Sequence, residues 1–171
     1  TQRQYALVTG NNPSYSIGDI LPVEQVSWNT IRGDAAMHDW PERKTVDSNS
    51  FMGRLCARTG IKFDMPTVIQ WEYACRAGCS SALNNGTEIT SKYGRCWNLG
   101  EVAWNPLDKV DSPQPVGKKL PNTWGIYDMH GNIQEWVADW YPGYEDCPEL
   151  FAEYRFSDST EESLAREFPR E

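Results

Sequence analysis

The chain has 171 residues and a net charge of −8, from 16 Lys and Arg against 24 Asp and Glu. That length supports one domain, or one domain with a tail, and buries a sizeable core without needing disulfides. The acid excess argues against a nucleic-acid partner, leaves cation binding open, and no apolar run is long enough to span a bilayer.

In chain order, a short helical turn is expected from Ser27 to about Gly33. Asp47 or Ser48 is placed to cap a helix carrying Phe51, Met52, Leu55 and Cys56, with Gly60 at its end. Lys62-Phe63-Asp64-Met65 reads as a strand leading into the next helix. Thr67-Val-Ile-Gln70 fits a capping box, in which the Thr hydroxyl accepts a free backbone N–H and Gln70 reaches back. The following turns place Val68, Trp71 and Cys75 on one face, and Gly78 is the natural stop. Gly and Pro then punctuate residues 78–125 closely. Residues 134–141, with Trp136, Val137 and Trp140 apolar, read as a buried strand. The pattern is an irregular, loop-rich α+β domain over 1–141, with the Trp71 helix packed under the Trp136 strand. Residues 142–171 form a divergent acidic segment, with a helix expected over 159–166.

Eight Trp and eight Tyr point to a core of large rings in irregular backbone, or to an aromatic binding surface. The five cysteines stand at 56, 75, 79, 96 and 147, and an odd count leaves at least one thiol free. Cys56 and Cys75 fall on apolar helical faces and read as buried hydrophobes. Cys79 and Cys96 lie in loops and can pair with each other. His38 and His130 are the only histidines, and nothing in the cysteine spacing matches a zinc site.

The most informative stretch is residues 115–141. Asp128, Asn132, Glu135 and Asp139 surround Gly131, among Trp124, Trp136 and Trp140. Acceptor oxygens beside a glycine suit calcium, which takes carboxylate, amide and backbone oxygens in a sharp turn. A capped turn entering a Trp-rich core strand explains the same residues.

This stretch, Pro115-Val-Gly-Lys-Lys-Leu-Pro-Asn-Thr-Trp-Gly-Ile-Tyr-Asp-Met-His-Gly-Asn-Ile-Gln-Glu-Trp-Val-Ala-Asp-Trp-Tyr141, resembles the signature of the formylglycine-generating-enzyme family, also called the sulfatase-modifying-factor family. Three earlier segments agree in order. They are Thr1-Gln-Arg-Gln-Tyr5 with Asn12-Pro-Ser-Tyr15, Pro22-Val-Glu-Gln-Val-Ser-Trp28, and Met65-Pro-Thr-Val-Ile-Gln-Trp-Glu-Tyr-Ala-Cys-Arg-Ala-Gly78.

The resemblance implies a variant of the C-type-lectin-like fold. It implies calcium held by the side chain of Asp128, the carbonyls of Gly131 and Ile133, and the carboxylate of Glu135. It implies a second calcium at Asn98 and the Leu99 carbonyl, completed from residues 101–111. Gln134 departs from the family, which carries an aromatic there. Active oxidases of the family bind copper through a cysteine pair that follows an Arg-Gly-Gly-Ser motif. No such motif follows Tyr141, and the only cysteine there is Cys147. Copper is therefore expected only where a further C-terminal segment supplies the thiolates, and no catalytic residue is assigned.

The expected function is a calcium-stabilised domain of this family that is not catalytically competent as given. One alternative is most of a copper-dependent oxidase converting a sulfatase cysteine to formylglycine. The other is a lectin-like module taking a protein or peptide ligand. An extracytoplasmic or secreted location goes with these readings.

Overall fold

The computed structural model describes residues 1–33, 46–90, 96–104 and 111–139. The chain divides into two compact units, Thr1–Asp139 and Trp140–Glu171. The second unit, with the helix expected over 159–166, lies outside the described residues, as does His38. Among its described residues the first unit has five short helices: α1 (Gln2–Thr9), α2 (Trp28–Arg32), α3 (Phe51–Thr59), α4 (Val68–Arg76) and α5 (Leu99–Val102). No helix of the described residues is long and apolar enough to cross a membrane.

α1 was not expected. Its signal is a capping box at the start, where Gln4 N–H donates to the Thr1 hydroxyl at 3.3 Å and Gln4 Oε1 accepts from the Thr1 amine at 2.8 Å. Gln2 then turns inward and is almost fully buried. Its amide nitrogen donates to the carbonyls of Ser16 and Pro22, and its oxygen accepts from Asn12 Nδ2 and Gly18 N. One side chain therefore shapes the whole loop from Asn12 to Pro22. Glu24 adds to this by accepting from the backbone N–H groups of Tyr15 and Ser16.

α2 starts at Ser27, whose hydroxyl accepts from Thr30 N at 3.1 Å, and ends at Gly33, as the sequence suggested. α3 ends at Gly60 as expected, but its cap is Ser50, not Asp47 or Ser48. Asp47 is held away from that role. Its carboxylate closes a turn onto Asn49 N at 2.7 Å, and its carbonyl accepts from Ser50 N at 3.0 Å. Gly53 lies directly on this turn, where a Cβ would stand 2.1 Å from the Asp47 carbonyl oxygen.

α4 has the capping box that Thr67 and Gln70 predict. It ends one residue before the expected stop, with Ala77 itself in the left-handed conformation at φ 48°. The last carbonyls of α4 are not left bare. Asn122 Nδ2 donates to those of Ala74 and Cys75, at 2.7 and 3.2 Å, and Thr123 Oγ1 donates to that of Ala77 at 2.6 Å.

The two expected strands do not form. No strand is present among the described residues, so the fold there is helices joined by irregular loops. In residues 62–65 both backbone groups of Phe63 bond instead to the thiol of Cys56. Residues 134–139 touch the same segment through one bond, Ala138 N to Pro66 O at 2.8 Å. The sequence suggested a strand at both stretches and could not show that neither has a ladder partner. The expected contact between α4 and the Trp136 segment is made all the same. Val68 N donates to Asp139 Oδ1 at 2.8 Å, and Trp71 Nε1 donates to Glu135 Oε2 at 2.8 Å.

Trp28, Met65 and Ala138 form the core cluster, with Ile31 and Met52 packed against it. Beside it lies Arg32, which has no exposed surface. Its Nε and Nη2 grip the two oxygens of Asp64 at 2.7 and 2.9 Å, and its guanidinium sits 5.5 Å from the Trp28 ring centre. A buried arginine needs such a fork because an uncompensated charge in the interior is costly. Asp64→Ala should therefore destabilise the domain by about 2–3 kcal/mol. That is below the full cost of breaking a buried pair, because Asp64 keeps about a third of its surface in water. Urea unfolding measures it, and a loss below roughly 0.5 kcal/mol would mean that the pair contributes no more than a surface bridge.

Candidate functional site

The loop from Gln114 to Asp139 is built by brackets between its two arms. Asn132 Nδ2 donates to Gln114 O at 2.9 Å, and Asn132 Oδ1 accepts from Gln114 N at 2.8 Å. Asn132 stands at φ 82° and donates its own N–H to Trp104 O at 3.2 Å. Gly131 is required beside it: a Cβ there would lie 2.3 Å from the same Trp104 oxygen. Trp104 is fixed in turn by Lys119, whose ammonium sits 3.9 Å from the ring centre and donates to Gly100 O at 2.6 Å.

Asp128 occupies the left-handed region at φ 59°, which Asp tolerates better than most residues. Its Oδ2 accepts from Gly117 N at 2.7 Å. Its Oδ1 is buried and has no hydrogen-bond partner. A carboxylate oxygen so placed carries a desolvation cost with nothing to offset it. Calcium's preference for carboxylate oxygens fits that atom. Among the described residues, no backbone N–H bonds to the carbonyls of Gly131 or Ile133.

Glu135 is less free. It is exposed, and its Oε2 accepts from the Trp71 indole. Asp139 lies at the N-terminus of α4 and accepts from Val68 N, so its part is to cap a helix. Among the described residues no group of three or more His, Cys, Asp and Glu side chains is gathered as for a metal ion. A site of the expected kind would draw two carboxylates and two carbonyls, so its fit rests on Asp128.

Asn98 and Leu99 stand at the start of α5. The Asn98 amide already has four partners. Nδ2 donates to Thr87 Oγ1 and Glu88 O, and Oδ1 accepts from Thr90 Oγ1 and Cys96 Sγ. The Leu99 carbonyl accepts from Ala103 N at 2.9 Å. Of the loop expected to complete this second site, residues 105–110 lie outside the described residues.

Cys79 is a free thiol, so the expected Cys79–Cys96 pair does not form. Each thiol bonds within a different neighbourhood: Cys56 to Phe63 O, Cys75 to Met129 O, Cys79 to Leu83 O, and Cys96 to Asn98 Oδ1. Cys75 is buried as expected, whereas Cys56 is only half-buried.

Sequence reading assigned nothing to His130 beyond its place in the loop. Its Nε2 accepts from Asn84 N at 3.0 Å, which puts the ring proton on Nδ1, and the Cys75 thiol lies 3.9 Å from the same nitrogen. Burial lowers its pKa below the usual 6.5, Arg76 lowers it further, and Glu72 opposes both. The unfolded chain therefore takes up a proton before the folded one does. The contribution is fully present above pH 6.5 and is lost as pH falls through the unfolded and then the folded value. Stability from urea unfolding should fall between neutral pH and about pH 5. His130→Gln, which keeps an oxygen acceptor for Asn84 N, should flatten that slope. An unchanged slope would place the proton uptake elsewhere.

The sulfatase-modifying factor enzyme 1-like domain matches residues 3–163, which carries past Tyr141 into the acidic segment. The chain is 28% identical to the chaperone protein LppX of Paenibacillus barcinonensis, over 87% of this chain and 62% of that protein. It is 32% identical to the formylglycine-generating enzyme of Mus musculus, over 77% of this chain and 37% of the enzyme. The structure of PvdO from Pseudomonas aeruginosa superposes with a TM-score of 0.57 at 25% identity, covering 83% of this chain and 54% of PvdO. The chain thus spans under two-thirds of each of these relatives, and it shares their formylglycine-generating-enzyme-like fold. The match over residues 3–163, nearly the whole chain, shows that this chain belongs to the sulfatase-modifying factor enzyme 1-like domain family.

Proposed function

We propose that this chain is a calcium-stabilised domain of the family that lacks competent oxidase chemistry of its own. The observation that carries the calcium reading is Asp128, with one oxygen fixed on Gly117 N and the other buried without a partner. A bound cation would offset that oxygen's desolvation and tie Asp128 to the Gly131 and Ile133 carbonyls and to Glu135. Its role would be to supply charge and hold the loop. A second calcium at Asn98 and Leu99 would have to displace protein donors already in place, which makes it the weaker half of the proposal.

The thiols support the non-catalytic half. Copper chemistry on a cysteine substrate needs soft thiolate ligands brought together. The described thiols each donate to a different segment instead. The relatives named formylglycine-generating enzyme favour a second reading, in which this chain is most of an oxidase completed by further residues. The relative named a chaperone favours a third, in which the domain takes a protein or peptide ligand in the manner of a lectin-like module.

Calcium at roughly 100 times its dissociation constant should add about 2.7 kcal/mol of stability. For a chain of this size the melting temperature should rise by about 5–10 °C, and EDTA should reverse it. Asp128→Ala should abolish the response. Glu135→Gln keeps an oxygen for the Trp71 indole, so its metal-free melting point should stay near that of the parent while its calcium response shrinks. Identical curves in calcium and EDTA, with protein shown free of metal at the start, would return the loop to a plain capped turn. Catalysis is tested separately. The purified chain, supplied with copper and oxygen, should leave a sulfatase-type cysteine peptide unchanged by mass spectrometry. Aldehyde formation that is lost on Cys→Ser substitution would establish the oxidase reading.

A further inference from the structure

The turn between α4 and α5 carries a motif that neither candidate site uses: Asn85 is followed by Gly86. A glycine puts no side chain in the way of a reaction between its own backbone nitrogen and the preceding Asn side chain. The deprotonated Gly nitrogen attacks the Asn Cγ, the side-chain nitrogen leaves as ammonia, and a five-membered succinimide forms. Water then opens the ring at either carbonyl, giving aspartate or isoaspartate. Water is the only co-reactant.

In this structure every group the reaction must free is engaged. Gly86 N, the nucleophile, donates to Leu83 O at 3.1 Å. Asn85 Oδ1 accepts from Thr87 N at 3.2 Å and from Thr87 Oγ1 at 2.7 Å, which fixes the side-chain carbonyl. Asn85 Nδ2, the leaving nitrogen, donates to Glu101 Oε2 at 3.2 Å. Leu83 N closes the turn onto Thr87 O at 3.0 Å. We propose that Asn85–Gly86 is a latent deamidation site, held unreactive by these bonds and released when the turn opens.

The position of the turn gives the reaction a consequence. Asn84, next in the chain, donates the N–H that His130 accepts, and Thr87 Oγ1 accepts from Asn98 Nδ2. The turn therefore ties the Asp128 loop to the start of α5. Aspartate at position 85 would remove the donor to Glu101 and set one carboxylate against another. Isoaspartate would also lengthen the main chain between Asn84 and Thr87. Either product loosens both ties.

The test uses the full chain, held at mildly alkaline pH in buffer and in urea, with peptide mapping by mass spectrometry. The amide-to-acid mass gain should appear on the peptide holding Asn85 and vanish in Asn85→Gln. It should form at least about tenfold more slowly in the native state, the factor set by about 1.4 kcal/mol of opening free energy. Thr87→Val, which removes the hydroxyl donor, should speed the native reaction several-fold and leave the rate in urea unchanged. Thr87→Ser should remain slow. Should Thr87→Val lose its fold by circular dichroism, Glu101→Ala removes a different anchor and should speed the native reaction in the same way. Equal rates in buffer and urea, no reaction at Asn85 in either, or folded anchor variants as slow as the parent would each overturn the proposal.

Discussion

Two indoles hold this domain together by exchanging hydrogen bonds. Trp28 Nε1 donates to Val137 O and Trp136 Nε1 donates to Val26 O, both at 3.0 Å. Each tryptophan thus binds the backbone beside the other, across 109 and 110 residues of chain. The exchange does for this irregular fold what a ladder does for a sheet. It satisfies backbone carbonyls away from regular structure and fixes the register of two segments. With residues 136–137 seated on 26–28, Ala138 reaches the core cluster, Asp139 reaches the N-terminus of α4, and Glu135 reaches Trp71.

The Asp128 loop depends on that seating from one side and on Trp104 from the other. Between them the chain turns through two left-handed residues, Asp128 and Asn132, with Gly131 pressed on the Trp104 carbonyl. Such a turn stays folded because its polar side chains bond to backbone: Asp128 to Gly117, and Asn132 to Gln114. The same economy explains why Asp139, Asn122 and Asn132 have similar chemistry and different work. Each satisfies backbone groups that a helix end or a loop would otherwise leave open.

Local features of this fold were legible in the sequence because their causes are local. The Ser27 and Thr67 caps and the Gly60 stop depend on residues within one turn of each other. The cap of α3 was misread because three candidates, Asp47, Ser48 and Ser50, lie within four residues, and only the packing of Gly53 on the Asp47 turn selects among them. The strands were misread because extended backbone and strand pairing look alike in one sequence. Oxygen-rich Asp128 stood out by composition, but that Glu135 would meet Trp71, and that Asp139 would cap α4, follows only from contacts across 64 and 71 residues. The bonds of Cys79 to Leu83 and of Cys96 to Asn98 are local, but nothing in the cysteine spacing signals them.

The ends of α4 bear on the order in which this protein can assemble. A nine-residue helix is too short to persist alone in water. The carboxylate at its first turn comes from Asp139, and the amide and hydroxyl at its last come from Asn122 and Thr123, all far downstream. During synthesis the residues of α4 therefore leave the ribosome with their Thr67 capping box but well before Asn122, Thr123 and Asp139 exist. Both ends of the helix thus gain their long-range partners only once residues 122–139 have been made.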